Sequence, residues 1–144
     1  MKVYLAAPYA IRDTVVRAGG LLTSRGHVIT SRWIQATHDI LPGVLDAALD
    51  HTDDYTVKQV AGDLADIDAA DALIVFTSAW AMAMGGLRRE QATSGGRHIE
   101  TGYALAKGKR VIVVGVPENI FHRGACTVVA TLGEAWAALE EEAI

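Results

Sequence analysis

Cysteine is nearly absent from this 144-residue chain: Cys126 stands alone, so no internal disulfide can form and no cysteine pair exists to hold zinc. A reducing, cytoplasmic setting is the expectation. Basic charge is also scarce. Thirteen Lys plus Arg face 17 Asp plus Glu, a formal net charge of −4 with no basic run, which argues against nucleic-acid partners and polybasic membrane contacts. No apolar stretch approaches the roughly 20 residues a membrane-spanning helix needs. The opening Lys2-Val3-Tyr4-Leu5-Ala6-Ala7 meets Pro8, Tyr9, Arg12 and Asp13 too soon for a secretory signal. The five histidines, His27, His38, His51, His98 and His122, are scattered without metal-ligand spacing, so neither a metal nor another cofactor is expected. The phosphate loop G-x-x-x-x-G-K-[ST] is missing, as is G-x-G-x-x-G after a strand, and with them go the P-loop and dinucleotide readings.

What remains is a globule: 51% hydrophobic and 21% charged residues, enough for one packed domain over 1–144. Lys2 to Ala7 reads as a short buried strand stopped by Pro8. A helix follows from about Ile11 to Arg25, with Gly26 as its stop, and then a β-branched run at His27–Thr30. Between Ser31 and Asp53 the pattern weakens to a loop with one short helix. Helical period returns over Asp53–Ala69, where Val57, Val60, Ala61, Leu64 and Ile67 share a face. Ala72–Thr77 is a continuous apolar run of the kind buried on both faces of a sheet. Ser78–Gly96 breaks the rhythm. A helix over Arg97–Lys107, a strand over Lys109–Gly115, a weaker run at Thr127–Val129 and a final helix over Gly133–Glu142 complete the chain. Strands alternating with helices predict an α/β, doubly wound, Rossmann- or flavodoxin-like sheet, five-stranded and mostly parallel, with helices on both faces. Ligands of such sheets sit beyond the strands' carboxyl ends, so the loops Ala7–Arg12, Thr77–Arg97 and Gly115–Arg123 should line the site.

Ser94-Gly95-Gly96-Arg97-His98-Ile99-Glu100 leads from a loop into a helix. Two glycines permit close backbone approach, and a helix start favours an anion. Glu100 in the first turn is open to two readings: a nucleophile beside a sugar pocket, or a carboxylate that merely matches the helix dipole. Among the carboxylates of the preceding helix, Asp66 is placed opposite the apolar stripe and solvated, Asp63 at the stripe's border, and Asp68 and Asp71 near the helix end, with Asp71 shaping the turn. Tyr4 sits inside the first strand with its hydroxyl seeking a polar partner. Arg12 opens the first helix, where it meets a phosphate or simply lies on the surface.

Together these segments resemble the nucleoside 2-deoxyribosyltransferase superfamily. The matching pieces are Val3–Pro8, Asp63-Leu64 with Asp71, and Gly95-Gly96-Arg97-His98-Ile99-Glu100-Thr101-Gly102-Tyr103-Ala104-Leu105-Ala106 followed by Gly108–Val111. The resemblance implies that Glu100 attacks the anomeric carbon, that Tyr4 holds this carboxylate, and that Asp63 meets the base and takes part in its protonation. It also implies a substrate cradle from Ala7, Pro8, Arg12, Ser94, Gly95, Gly96 and Arg97, with no metal. Six residues before the glutamate, family members acting on free nucleosides carry an acid, whereas those hydrolysing 5'-monophosphates carry the serine found here as Ser94. A carboxylate would repel a phosphate, while a hydroxyl donates to it. The resemblance therefore favours a hydrolase that cuts the base from a nucleoside 5'-monophosphate. The alternatives are a base-exchanging 2-deoxyribosyltransferase and a non-catalytic nucleotide-binding module. It further implies a homodimer or higher homo-oligomer, with Asn119 or His122 as candidates to reach a neighbour's pocket, the alternative for this segment being a plain surface turn. The stretch Ala79–Thr93 exceeds what compact members need, and reads as a lid, a partner surface or a plain exposed loop.

Overall fold

The computed structural model describes residues 1–35, 54–84 and 95–141. Strand β1 (Lys2–Ala6) leads through a 3-10 turn (Tyr9–Ile11) into α1 (Arg12–Ser24), then β2 (Val28–Ile29) and a second 3-10 turn (Arg32–Gln35). Helix α2 (Asp54–Ala69), strand β3 (Ala72–Phe76) and the short α3 (Ser78–Ala83) follow. The chain continues as α4 (Gly96–Ala106), β4 (Arg110–Val114), α5 (Ile120–Ala125), β5 (Thr127–Val129) and α6 (Leu132–Glu141). The five strands form one sheet in the order β2-β1-β3-β4-β5, and every pairing is parallel. The expected doubly wound α/β sheet is present.

The apolar runs dictate this order. β3 is buried at all five positions, as a central parallel strand covered on both faces must be. Its neighbours β1 and β4 bury four of five positions each, with Lys2 and Arg110 at the solvent ends. Each fully buried Leu, Ile or Phe here contributes about 1.5–3 kcal/mol of transfer free energy. Successive β1 residues serve opposite faces. Leu5 points to α1, where a side chain placed at Gly19 would meet its Cδ1 at 3.5 Å. Tyr4 points the other way, to α4. Helix α6 joins α1 on the first face, tied by Arg25 to Glu140 at 3.0 and 3.2 Å, while α2 and α4 pack on each other.

Three expectations change. The apolar stripe of α2 is buried only near its carboxyl end: Ile67 is covered, but Val57 and Val60 are more than half exposed. Asp66, expected in solvent, is buried, because the turn Arg32–Gln35 folds over that side of the helix and Arg32 pairs with it. Two six-residue helices, α3 and α5, lie where loop was expected. Both start from a side-chain cap: Thr77 Oγ1 accepts the Trp80 N–H, and Asn119 Oδ1 accepts the His122 N–H. Among the described residues no helix is long and apolar enough to cross a membrane.

Candidate active site

The strand order reverses at β1, whose two neighbours are β2 and β3, and of the sequence-selected residues Tyr4, Glu100 and Asp63 come together on the α2/α4 side of this switch point. The Tyr4 hydroxyl, fully buried, donates to Glu100 Oε2. Ninety-six residues separate the partners in the chain. They meet because Tyr4 is the third residue of β1 and Glu100 lies at the fifth position of α4, which lies against β1 and β3. Asp63 approaches from α2 and acts electrostatically on both. One turn earlier on the same helix, Gln59 Nε2 donates to Asp63 Oδ1 at 3.4 Å.

Burial shapes the proton affinities of all three. Glu100 is pushed up to about 7, chiefly by burial; the Tyr4 hydrogen bond pulls it down, and the Asp63 charge adds a smaller upward push. Asp63 rises to about 6 through burial and the neighbouring Asp66 charge, opposed by Gln59 and Arg32. Burial and the adjacent Glu100 drive the Tyr4 pKa upward, so this phenol remains a donor at all working pH values. Two carboxyls near neutrality, one gripped by a hydroxyl, can serve as nucleophile and acid.

One wall comes from the turn after β2. Arg32 Nε donates to Asp66 Oδ1 at 2.9 Å and the Arg32 backbone N–H to Asp66 Oδ2 at 3.0 Å. Trp33 Nε1 donates to the Leu5 carbonyl at 2.7 Å, and its ring lies 6.2 Å from that of Tyr9. Arg12 places its guanidinium 5.9 Å from the Tyr9 ring centre. Ala7 and Pro8 connect β1 to this corner. Gln59, Arg32 and Asp66 were not singled out as site residues by sequence. Only the four-residue spacing of Gln59 and Asp63 offered a signal.

The other end is the start of α4. Gly95 adopts φ 64°, the left-handed region, and Gly96 begins the helix exposed. Arg97 turns away from solvent: Nη2 donates to Ser78 Oγ and to Glu118 Oε2, both at 2.7 Å, and Nε donates to Glu118 Oε1 at 3.2 Å. Asn119 caps α5 and lies 3.5 Å from His98 Nδ1, while His122 is fully buried and accepts the Glu118 N–H on Nδ1 at 3.0 Å. Both residues thus have partners within their own chain. Ser94 lies outside the described residues, as do residues 85–93 of the long connection. Among the described residues no group of three or more His, Cys, Asp or Glu side chains is placed to hold a metal ion. A separate open groove of about 470 Å³ runs between α3 and β5, lined in part by Trp80, Gly115, Val116 and Val128, and none of the expected site residues line it.

No protein-family model matches the sequence, and no curated protein matches it. Among solved structures, the chain is similar to the CMP N-glycosidase BcmB of Clostridium botulinum. The two are 19% identical, with a TM-score of 0.53, over 97% of this chain and 99% of the other. What they share is the fold along nearly the whole of both chains.

Proposed function

We propose that this protein hydrolyses the N-glycosidic bond of a nucleoside 5'-monophosphate, with Glu100 as nucleophile. The observation that carries the reading is the Tyr4–Glu100 hydrogen bond with Asp63 near enough for its charge to act on both, and with both carboxyls raised toward neutrality. The Glu100 carboxylate attacks the anomeric carbon as the bond from that carbon to the base nitrogen breaks. Asp63 delivers its proton to the departing base, leaving a glycosyl ester on Glu100. Water then attacks the same carbon, Asp63 takes the water's proton, and the sugar phosphate leaves with Glu100 restored.

The reactive form has Glu100 ionised and Asp63 protonated. In the free protein burial raises Glu100 (about 7) further than Asp63 (about 6), so Glu100 holds its proton the more tightly of the two. The reactive form is therefore a minority that one proton transfer reaches. The choice of a 5'-phosphate rests on the sequence Ser94-Gly95-Gly96 that leads into α4, since a serine hydroxyl donates to an anion and the N–H groups of a helix start favour one. The similar fold of a CMP N-glycosidase supports the same reading.

The test is base release from a panel of ribo- and deoxyribonucleoside monophosphates and their dephosphorylated forms. At least one monophosphate should yield free base and sugar phosphate, and Glu100→Gln should abolish the reaction. Equal turnover of the dephosphorylated compounds would remove the phosphate argument. Diversion of product to a new nucleoside on adding a second base would indicate transfer instead.

A further inference from the structure

Arg97, expected in the substrate cradle, is only 5% exposed, and its Nε and Nη2 are engaged inside the protein. Its partners come from the carboxyl ends of two central strands. Ser78 begins α3 directly after β3, and Glu118 follows β4. Glu118 is itself pinned, since its backbone N–H donates to His122 Nδ1 at 3.0 Å and the His122 N–H donates to Asn119 at 3.0 Å. On α4, Thr101 Oγ1 donates to the Arg97 carbonyl at 2.7 Å, which ties the first turn to the second. Glu118 stays ionised, because the Arg97 bonds and charge outweigh the effect of burial.

Three residues separate Arg97 from Glu100, about 300° around the helix, so the two side chains leave α4 roughly 60° apart. One faces the ends of β3 and β4, and the other faces Tyr4. A rotation of α4 by about 20° would move a carboxylate at a radius of about 5–6 Å by about 2 Å, enough to break its hydrogen bond. A bidentate guanidinium–carboxylate pair is the geometry that resists such rotation.

We infer that Arg97 and Glu118 form a clamp that fixes the rotation of α4 and so holds Glu100 against Tyr4. The inference rests on the proposed role of Glu100, and it makes Arg97 a positioning residue rather than a phosphate ligand. The two roles separate experimentally. A phosphate ligand governs KM for the monophosphate, whereas the clamp governs kcat and the proton affinity of Glu100.

The experiment uses the full chain and the variants Arg97→Lys, Glu118→Gln and the double Arg97→Met/Glu118→Met. The double variant replaces a buried ion pair with apolar side chains, which spares the fold the cost of an unpaired charge. Two readouts are taken: carboxyl NMR titration of Glu100, assigned with Glu100→Gln, and hydrolysis of CMP as the probe. With the clamp broken, Glu100 should titrate about one unit higher, since it loses the Tyr4 bond that lowers its pKa. The kcat should fall ten- to hundredfold with KM within about threefold, and the double variant should be no worse than the singles. An unmoved Glu100 titration in folded variants would overturn the clamp. So would a tenfold rise in KM at constant kcat, which returns Arg97 to the phosphate. If wild type leaves CMP and every other monophosphate intact while the Glu100 titration still shifts in the variants, the clamp stands and the hydrolase reading falls.

Discussion

Tyr4→Phe removes one oxygen and leaves the ring in its buried slot, so its effect isolates the hydrogen bond to Glu100. A hydrogen bond to a charged group is worth about 1.5–3 kcal/mol, which corresponds to about one to two pKa units. Glu100 should therefore move from about 7 to about 8–9. The reactive form needs Glu100 ionised and Asp63, at about 6, protonated, so wild-type kcat/KM should peak between about pH 6 and 7. On that peak the variant should be slower by about ten- to hundredfold. Above about pH 9, where Glu100 is ionised in both proteins, the two rates should converge. The assay is base release followed from pH 5 to 10, with chain integrity checked by circular dichroism. A deficit of the same size at every pH would show that Tyr4 acts by something other than the charge state of Glu100. A variant within twofold of wild type at pH 6.5 would refute the assignment of the pocket.

The remaining predictions concern the surroundings of that pair. Glu100 binds its proton more tightly folded (about 7) than at its ordinary 4.5, so its contribution to stability is complete below about pH 4.5 and lost as pH rises through about 7. Glu100→Gln should accordingly be more stable than wild type by about 3 kcal/mol at pH 8 and nearly equal to it at pH 4, by urea unfolding. Gln59→Leu removes a bond that lowers the Asp63 pKa, so Asp63 should keep its proton to higher pH. The rate above pH 7 should then rise about threefold, an increase that a pH–rate profile would detect. Gly115 adopts φ 115°, and a side chain there would come within 2.2 Å of Thr77 Oγ1 and 2.8 Å of the Trp80 Cβ. Gly115→Ala should cost about 3 kcal/mol or more by urea unfolding, combining strain and overpacking.

Much of the frame was legible because its physics is local. The runs at Lys2–Ala7, Ala72–Thr77 and Lys109–Gly115 can bury both faces only as parallel strands, and they do so. The pairing of Tyr4 with Glu100 came from the resemblance, since nothing in their spacing predicts it. The short helices α3 and α5 escaped because six residues make fewer than two helical turns, too few to show a periodic pattern, although Thr77 and Asn119 are cap residues. Asp66 was misjudged for a different reason. Its solvent face was inferred from Val57 and Val60 being buried, and both are exposed, while the turn at Arg32 supplies a cover that helical periodicity cannot report. The Arg97–Glu118 pair spans 21 residues and two elements, so only the folded chain brings it together.

The alternation along β1 divides labour between neighbouring codons. Val3 and Leu5 belong to the face that α1 covers, while Tyr4 belongs to the face that carries Glu100 and the proposed site. Sliding this strand by one place against β3 would drop the phenol among aliphatic side chains and turn an aliphatic group toward Glu100. Catalytic competence and correct threading of the sheet are thus a single event, and a misthreaded chain would betray itself by silence in the assay before any loss of compactness.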